Sequence, residues 1–249
     1  MRASRMKMIP RRGPLGSRHR LSAARLALVF LLAPSPLRGQ GALVDQGSFR
    51  ILVGAREVGL ETFSIRRSGT GEDLRYAADS DIRADLPEGR LELVTTLATQ
   101  GSALTPSGYQ AKRSGDQEGQ LTYRVRGNRL VLRLNSPRGE ELREFRYQEG
   151  VVILESGVSH HFHFLVAQYL LGNTRVPVLS PRERLFFEVE LEERETSTLR
   201  IGTSSRAARR LRVSGDSLQW EVWFDSEGRV LRVEQPLRGF RAERVEMPG

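Results

Sequence analysis

Three closely spaced histidines are the residues best suited to chemistry in this chain. His160, His161 and His163 lie in the segment 159–171 and are the only histidines after residue 41. On a helix, His160 and His163 would be one turn apart, whereas on a strand His161 and His163 would share a face. A zinc site needs three or four ligands, and no acidic residue occurs in the range 156–182. We therefore expect no metal site and no cofactor, and histidines that pack at a helix start or line a pocket.

Sequence motifs for catalysis are missing. The chain contains no G-x-S-x-G, no H-E-x-x-H and no P-loop. Adjacent acids such as Glu140 and Glu141 point to opposite faces of a strand, which does not suit a glycosidase pair. The expectation is a protein that is not an enzyme. A hydrolase that uses the three histidines remains an alternative.

The element that must position these histidines is a helix. The segment 159–171 has no internal Gly or Pro, Ser159 suits an N-cap, and Gly172-Asn173 suits a left-handed stop. One broad apolar stripe follows the helical period and comprises Phe162, Leu165, Val166, Tyr169 and Leu170. Further apolar residues lie on the opposite side, so the pattern indicates a helix clasped by a curved sheet or a helix with one face over a cavity.

That second helix face supplies most of the predicted ligand contacts. Trp220 and Trp223 fall on opposite faces of one strand, so one of them is expected in the core and the other exposed or lining a pocket. The residues expected to bind a ligand are His160, His161, Phe164, Gln168, Leu171 and Trp223.

The rest of the chain, from Phe49 onward, predicts strands. Apolar residues alternate with polar ones, the signature of half-buried strands, as in the set Leu218, Trp220, Val222 and Phe224. Turn residues recur at the spacing of about 8–12 residues that favours an antiparallel sandwich, barrel or curved sheet. Two regions depart from this pattern. The stretch 101–119 is the most loop-like interior region, with pairing of residues 109–112 as the alternative. The stretch 176–181 is expected to be extended but not a central strand, because it contains two prolines.

The N-terminal region predicts a signal peptide over residues 1–41. Basic residues precede the apolar run 26–33, and small residues follow it. A retained N-terminal anchor is the alternative. Nine of the 39 basic residues and none of the 30 acidic ones lie before residue 42, so removal of the leader turns a net charge of +9 into zero. The basic charge therefore indicates no nucleic-acid partner, and the protein is expected in the periplasm or outside the cell.

The region 42–249 is expected to form a single β-rich domain. It contains no cysteine, so no disulfide can stabilise it and its hydrophobic core must suffice. No cysteine is present for lipid attachment at the cleavage site either. The oligomeric state does not follow from the sequence.

Several stretches together resemble a family of uncharacterised bacterial periplasmic proteins related to lipoprotein-carrier (LolA-like) half-barrel folds. They are the leader, the opening 49–63 with Gly54 and Gly59, the His/Phe-rich helix, the segment 176–181 and the ending 222–236. The resemblance implies a mainly β fold in which a strongly curved antiparallel sheet, a half-barrel or open barrel, wraps around one principal helix. It also implies an apolar cavity, and it implies no catalytic residues.

From these observations we expect a soluble periplasmic binding, carrier or chaperone-like protein. Its apolar ligand, an acyl chain or a lipoprotein, would lie between the curved sheet and the helix 159–171. The alternative is a structural or protein-interaction module of the cell envelope with no small-molecule ligand. An outer-membrane barrel is a third possibility, disfavoured by the many Arg and Glu residues on the outward faces and by the C-terminal Glu-Met-Pro-Gly.

Overall fold

The computed structural model describes residues 41–86, 89–114, 118–215 and 218–247. The signal peptide predicted for residues 1–41 lies outside them except for Gly41. The described residues form a single sheet of 15 strands and one α-helix. The sheet is open and strongly curved, so the predicted mainly β fold is confirmed.

Eight strands follow one another in the first part of the chain and form one antiparallel meander. They are β1 (Ala42–Val53), β2 (Arg56–Ser68), β3 (Arg75–Leu86), β4 (Gly89–Gln100), β5 (Thr105–Ser114), β6 (Gly119–Arg126), β7 (Arg129–Ser136) and β8 (Gly139–Arg146). A short 3-10 turn, Gly71–Asp73, precedes β3.

The second part of the chain crosses to the far edge of the sheet and returns. Its elements are β9 (Val152–Ile153), the helix α1 (Phe162–Leu170), β10 (Arg175–Ser180), β11 (Leu185–Ile201), β12 (Ser204–Ser214), β13 (Gln219–Phe224), β14 (Val230–Gln235) and β15 (Phe240–Arg244). A 3-10 turn, Pro236–Arg238, joins the last two. Strands β9 and β10 are parallel, whereas β10 to β15 form a second antiparallel meander.

The two meanders join in the middle of the sheet, where β1 pairs with β15. A buried ion pair stabilises this junction: Nη1 of Arg244 donates to Oδ2 of Asp45 at 2.9 Å, and both side chains are almost fully buried. The same guanidinium donates to the backbone oxygens of Val230, Gln46 and Glu246. A buried charge is tolerated when it is paired and hydrogen-bonded in this way.

The edge strands are β8 and β9, and the sheet curls enough to bring its two outer parts together. The rings of Phe145 on β8 and Phe186 on β11 stack with centroids 6.1 Å apart. Tyr109 on β5 contacts Glu155, which follows β9. Among the described strands β8 and β9 are not hydrogen-bonded to each other, so the curved sheet is not closed into a barrel.

The concave face of the sheet carries the main core. On β4, for example, Leu91, Leu93, Thr95 and Leu97 are buried while the residues that alternate with them are more exposed, which is the period of two expected of a strand. The helix α1 packs inside this face, with its Phe162, Phe164, Leu165 and Val166 buried in the same cluster. A second, smaller cluster contains Leu199, Ile201, Ala208, Trp223 and Leu231.

Two local predictions need correction, and a third is decided between its alternatives. The stretch 101–119 contains β5, so residues 109–112 do pair. The segment around Pro177 is a strand, β10, and not merely extended chain. Pro177 is tolerated because β10 pairs with β9 only at Val178 and Leu179, so the proline needs no amide hydrogen on that side. The helix begins at Phe162 rather than Ser159, and its C-terminal stop at Gly172 has the expected positive φ of 93°.

Candidate ligand-binding cavity

The segment 154–161, which leads from β9 into α1, is fixed by a carboxylate from a distant strand. Glu61 on β2 is fully buried and accepts hydrogen bonds from the backbone amides of Ser159 and His160, at 2.8 and 3.2 Å. Its Oε1 also lies 2.7 Å from Nδ1 of His160. A carboxylate only accepts, so Nδ1 carries the hydrogen. Glu61 therefore satisfies two buried amides in the turn that precedes the helix.

This arrangement replaces the predicted N-cap. Ser159 does not cap the helix. The N-cap position is occupied by His161, and its side chain makes no capping hydrogen bond. The Ser159 hydroxyl is buried and has no hydrogen-bond partner among the described residues. The first-turn amides of Phe162, His163 and Phe164 are instead bonded to the backbone oxygens of Ser159, His160 and His161.

His161 belongs to a second buried polar group. Its Nδ1 accepts a hydrogen bond from the backbone amide of Glu155 at 3.3 Å. The Glu155 carboxylate accepts from the Tyr109 hydroxyl at 3.2 Å and from Nε of Arg182 at 3.0 Å. The ring centroids of His160 and His161 lie 4.6 Å apart, so the two polar groups adjoin.

Burial is the largest cause of the pKa shifts of His161, Glu155 and Tyr109. It lowers the pKa of His161 well below its usual value, and the neighbouring His160 acts in the same direction. Burial also raises the pKa of Glu155, against the opposing effects of Arg182 and Tyr109. The pKa of Tyr109 is raised well above its usual value by burial and by the Glu155 charge. In each case burial acts against the charged form of the group.

The remaining helix residues fill one end of the curved sheet. His163 packs against Tyr76 at the start of β3, and burial lowers the pKa of His163 to about 4. Phe164 meets the edge of the same Tyr76 ring, with centroids 6.3 Å apart. The Gln168 amide donates to the backbone oxygen of Ala103, between β4 and β5, at 2.7 Å. This end is therefore packed by protein side chains.

The other end of the sheet contains a cavity of about 480 Å³. Strand termini at that end line it: Ile51 and Val53 from β1, Ala84 and Leu86 from β3, Leu91 and Leu93 from β4, Trp220 from β13, Gln235 from β14 and Phe240 from β15. These termini adjoin because neighbouring strands run antiparallel. Residues 154–159 and Phe162 also line the cavity, so the segment 154–161 separates it from the packed end.

The cavity lining combines apolar and polar residues. The apolar ones include Ile51, Ala84, Leu91, Phe187, Trp220 and Phe240. The polar ones include Arg113, Glu155, Ser159, Ser180, Arg182 and Glu183, and of these Glu155 lies near β5, since its carboxylate accepts from Tyr109. Arg238 also lines the cavity, and its Nη1 donates to Glu183 at 3.3 Å.

The ligand contacts expected from the sequence are distributed differently. His160, His161, Phe164 and Gln168 are buried among protein groups, whereas Leu171 is 57% exposed. Trp223 lies in the smaller cluster, with the guanidinium groups of Arg210 and Arg232 over its ring. None of the six is among the described residues that line the cavity. Phe162 and Trp220 line it instead.

The sequence contained a signal for one residue that this reasoning missed. Glu61 shares a strand face with Phe63 and Ile65, so an acid interrupts an apolar alternation. Such a position indicates a buried charge that needs a partner. Glu155 and Arg113 carry no comparable signal, because their surroundings depend on how far the sheet curls.

The comparisons with known proteins add a likeness of architecture. The chain matches no protein-family model and none of the curated proteins. It is similar to the crystal structure of a β-barrel-like protein of domain of unknown function DUF1849 from Brucella abortus, with 10% sequence identity and a TM-score of 0.48. The match covers 83% of this chain and 98% of that one. At this identity and TM-score the likeness transfers no function and no site residue.

Two further features of the described residues concern membranes and metals. No helix among them is long and apolar enough to cross a membrane. No three His, Cys, Asp or Glu side chains within the same residues are grouped so that they could hold a metal ion.

Proposed function

We propose that the protein binds an apolar ligand, such as an acyl chain, in the cavity at the open end of the curved sheet. The observation that carries this proposal is the cavity of about 480 Å³, whose lining includes many apolar residues. Its volume falls within the range of about 300–1,000 Å³ typical of small-molecule sites. When a ligand covers apolar surface in the cavity, that surface is removed from water, which lowers the free energy and favours binding.

The role we infer is that of a carrier or chaperone-like protein of the periplasm or the extracellular space. The leader-like residues 1–41 support export, and the absence of charge excess after them fits a soluble envelope protein. The resemblance to lipoprotein-carrier half-barrels is a prediction that agrees with this role. An acyl chain presented by a lipoprotein is therefore a candidate cargo beside a free lipid.

Mass spectrometry of small molecules retained by protein purified from its native host tests the proposal most directly. We expect a retained lipid or acyl compound that Ala84→Trp removes, because Ala84 lines the cavity and a large side chain there would fill it. Ala77→Trp is the matched control, since Ala77 is exposed on the same strand, β3. Retention by both variants would place any bound molecule elsewhere.

A binding assay in vitro uses the two tryptophans of the chain. In a Trp223→Phe background Trp220 is the remaining tryptophan and lines the cavity. Its fluorescence should respond to 1-dodecanol, and Ala84→Trp protein should not bind a fluorescent fatty acid that the native protein binds. A protein that retains nothing and binds no apolar probe would contradict the proposal.

The interaction module of the cell envelope remains the second candidate. The observation in its favour is the packed end of the sheet, where α1 fills the concave face with Phe164, His163 and Gln168. Under this function the cavity is a packing defect. Equal affinity of native and Ala84→Trp protein for a partner, together with no bound lipid, would favour it.

A further inference from the structure

We infer that the turn 181–184, between β10 and β11, is a gate of the cavity that exposed ion pairs hold shut. This inference rests on the proposed function and adds a control over how fast the ligand enters and leaves. It follows from the place of the turn in the cavity lining, from the ion pairs of three consecutive residues and from the unequal burial of those pairs.

The turn belongs to the cavity lining and also reaches the surface. Arg182 and Glu183 line the cavity together with Ser180 at the end of β10. Ser180 is only 4% exposed, whereas the side chains of Arg182 and Glu183 are 30% and 26% exposed. The turn thus extends from the inside of the cavity to the solvent, so its displacement would open the cavity on this side.

Three consecutive side chains of the turn form ion pairs with three separate parts of the protein. The pairs, with nitrogen–oxygen distances of 3.0–3.3 Å, are Arg182 with Glu155, Glu183 with Arg238 and Arg184 with Glu141. Glu155 follows β9, Arg238 precedes β15 and Glu141 lies on β8. Neither β8 nor β15 is a neighbour of β10 or β11 in the sheet. The contacts with Glu141 and Arg238 therefore attach the turn to elements that no strand pairing connects to it.

The three pairs differ in how firmly they hold the turn. The Glu155 side chain is fully buried in its pair with Arg182, and breaking one side of a buried pair is costly. The other two pairs are open to water, since the side chains of Arg184, Glu141 and Arg238 are 36%, 49% and 52% exposed. Exposed ion pairs are weak and are screened by salt. The turn can therefore release Glu141 and Arg238 while Arg182 still anchors it.

The backbone of the turn favours release as well. Arg184 has a φ of 57°, in the left-handed region that is uncommon for a residue with a side chain. Its amide donates to the Pro181 oxygen at 3.2 Å, which closes the turn. Local strain of this kind persists only while the surroundings hold it. The ion pair of Arg184 with Glu141 is such a restraint, and its loss would free a strained turn.

Stopped-flow fluorescence of the Trp223→Phe protein with 1-dodecanol measures the rates of binding and release. Glu183→Gln and Glu141→Gln keep the size of each side chain and remove its charge, and the double variant breaks both exposed pairs. A gate changes the two rates together. We expect each broken pair to make binding and release about 1.5- to fivefold faster, the range of one exposed ion pair, and the Kd to stay within about twofold.

Salt gives a second readout that needs no substitution. Because salt at about 0.5 M screens exposed charges, it should speed both rates in the native protein by about as much as the double variant does. The rates of the double variant should respond less to the same salt. Thermal unfolding shows whether each variant is folded.

Glu190→Gln is the matched control. It removes an ion pair of similar kind on the same two strands, between Arg175 and Glu190 at 2.8 Å, with side chains 67% and 65% exposed. Neither residue is among the described residues that line the cavity. This variant should leave both rates unchanged.

The failures are distinguishable. Unchanged rates in the folded double variant, or equal salt effects on native and double-variant rates, would overturn the inference while the proposed function stands. A changed Kd with an unchanged rate of binding would overturn it as well, because these side chains would then only contact the ligand. No binding of dodecanol by the Trp223→Phe or the native protein would refute the proposed function itself.

Discussion

Removal of the Glu61 carboxylate is the sharpest test of how the segment before α1 is held. In Glu61→Ala protein, the amides of Ser159 and His160 and the Nδ1 hydrogen of His160 all lose their acceptor. Since Glu61 and His160 are both fully buried, water cannot replace it without rearrangement. Breaking one side of a buried charged contact costs about 3–5 kcal/mol, and we expect a loss of unfolding free energy in that range.

A Glu61→Gln variant separates charge from shape. The amide oxygen can accept from one backbone amide, and the amide nitrogen can donate to Nδ1 of His160 once the ring adopts its other tautomer. One backbone amide then lacks an acceptor, which costs about 1–3 kcal/mol. The loss should therefore be smaller than that of Glu61→Ala.

Urea unfolding with the slope held constant measures both losses, and hydrogen exchange of the Ser159 and His160 amides shows whether they occur at the expected place. Glu57, exposed on the same strand, gives the matched control. Its alanine variant should change stability by no more than about 0.5 kcal/mol. If Glu61→Ala lowers the free energy of unfolding by less than about 1 kcal/mol, or the two amides stay protected, the role of Glu61 in holding the segment before α1 is refuted.

Three further predictions concern other buried features. The pKa of His163 is lowered to about 4 in the folded protein, so below pH 6.5 the unfolded chain takes up a proton that the folded chain does not. The free energy of unfolding should therefore fall by about 3 kcal/mol between pH 6.5 and 4 on account of this group. The variant His163→Phe should lose that part of the pH dependence in denaturation curves, and the same pH dependence in native and variant protein would contradict the prediction. Asp45→Ala leaves the buried Arg244 guanidinium without its carboxylate and should cost about 3–5 kcal/mol in urea unfolding; a cost below 1 kcal/mol would mean that water replaces the pair. A Cβ at Gly59 would lie 2.2 Å from the Arg83 carbonyl oxygen, so Gly59→Ala should cost about 1–3 kcal/mol by overpacking, and an unchanged melting temperature would show that β2 and β3 separate freely there.

Local patterns predicted most of the fold. Alternation predicts strands such as β4 because one face of the strand is buried, and the recurring turn residues predict the reversals between strands. The prediction failed for β10, where a proline outweighed the apolar residues around it. Whether a proline is tolerated depends on which side of the strand is paired, and that is a property of the sheet.

The site could not be predicted in the same way. The histidines were correctly placed at a helix start, but the acid that contacts His160 comes from β2. The position of the cavity depends on which strand termini meet when the sheet curls, and residues as distant as Ala84 and Phe240 line it together. Residue spacing along the chain shows which residues share a face of one helix or strand. The cavity, in contrast, results from the order of the strands in the sheet.

The pairing of β1 with β15 has a consequence for how the chain folds. The first and last described strands meet in the middle of the sheet, and Asp45 and Arg244, which bind each other there, are 199 residues apart in sequence. Each meander can form from local contacts, but until β15 arrives both have an open edge and an uncovered concave face, the features that expose chains to aggregation. Contacts between such distant residues also slow folding. We therefore expect the chain to need protection from self-association until β15 has paired with β1.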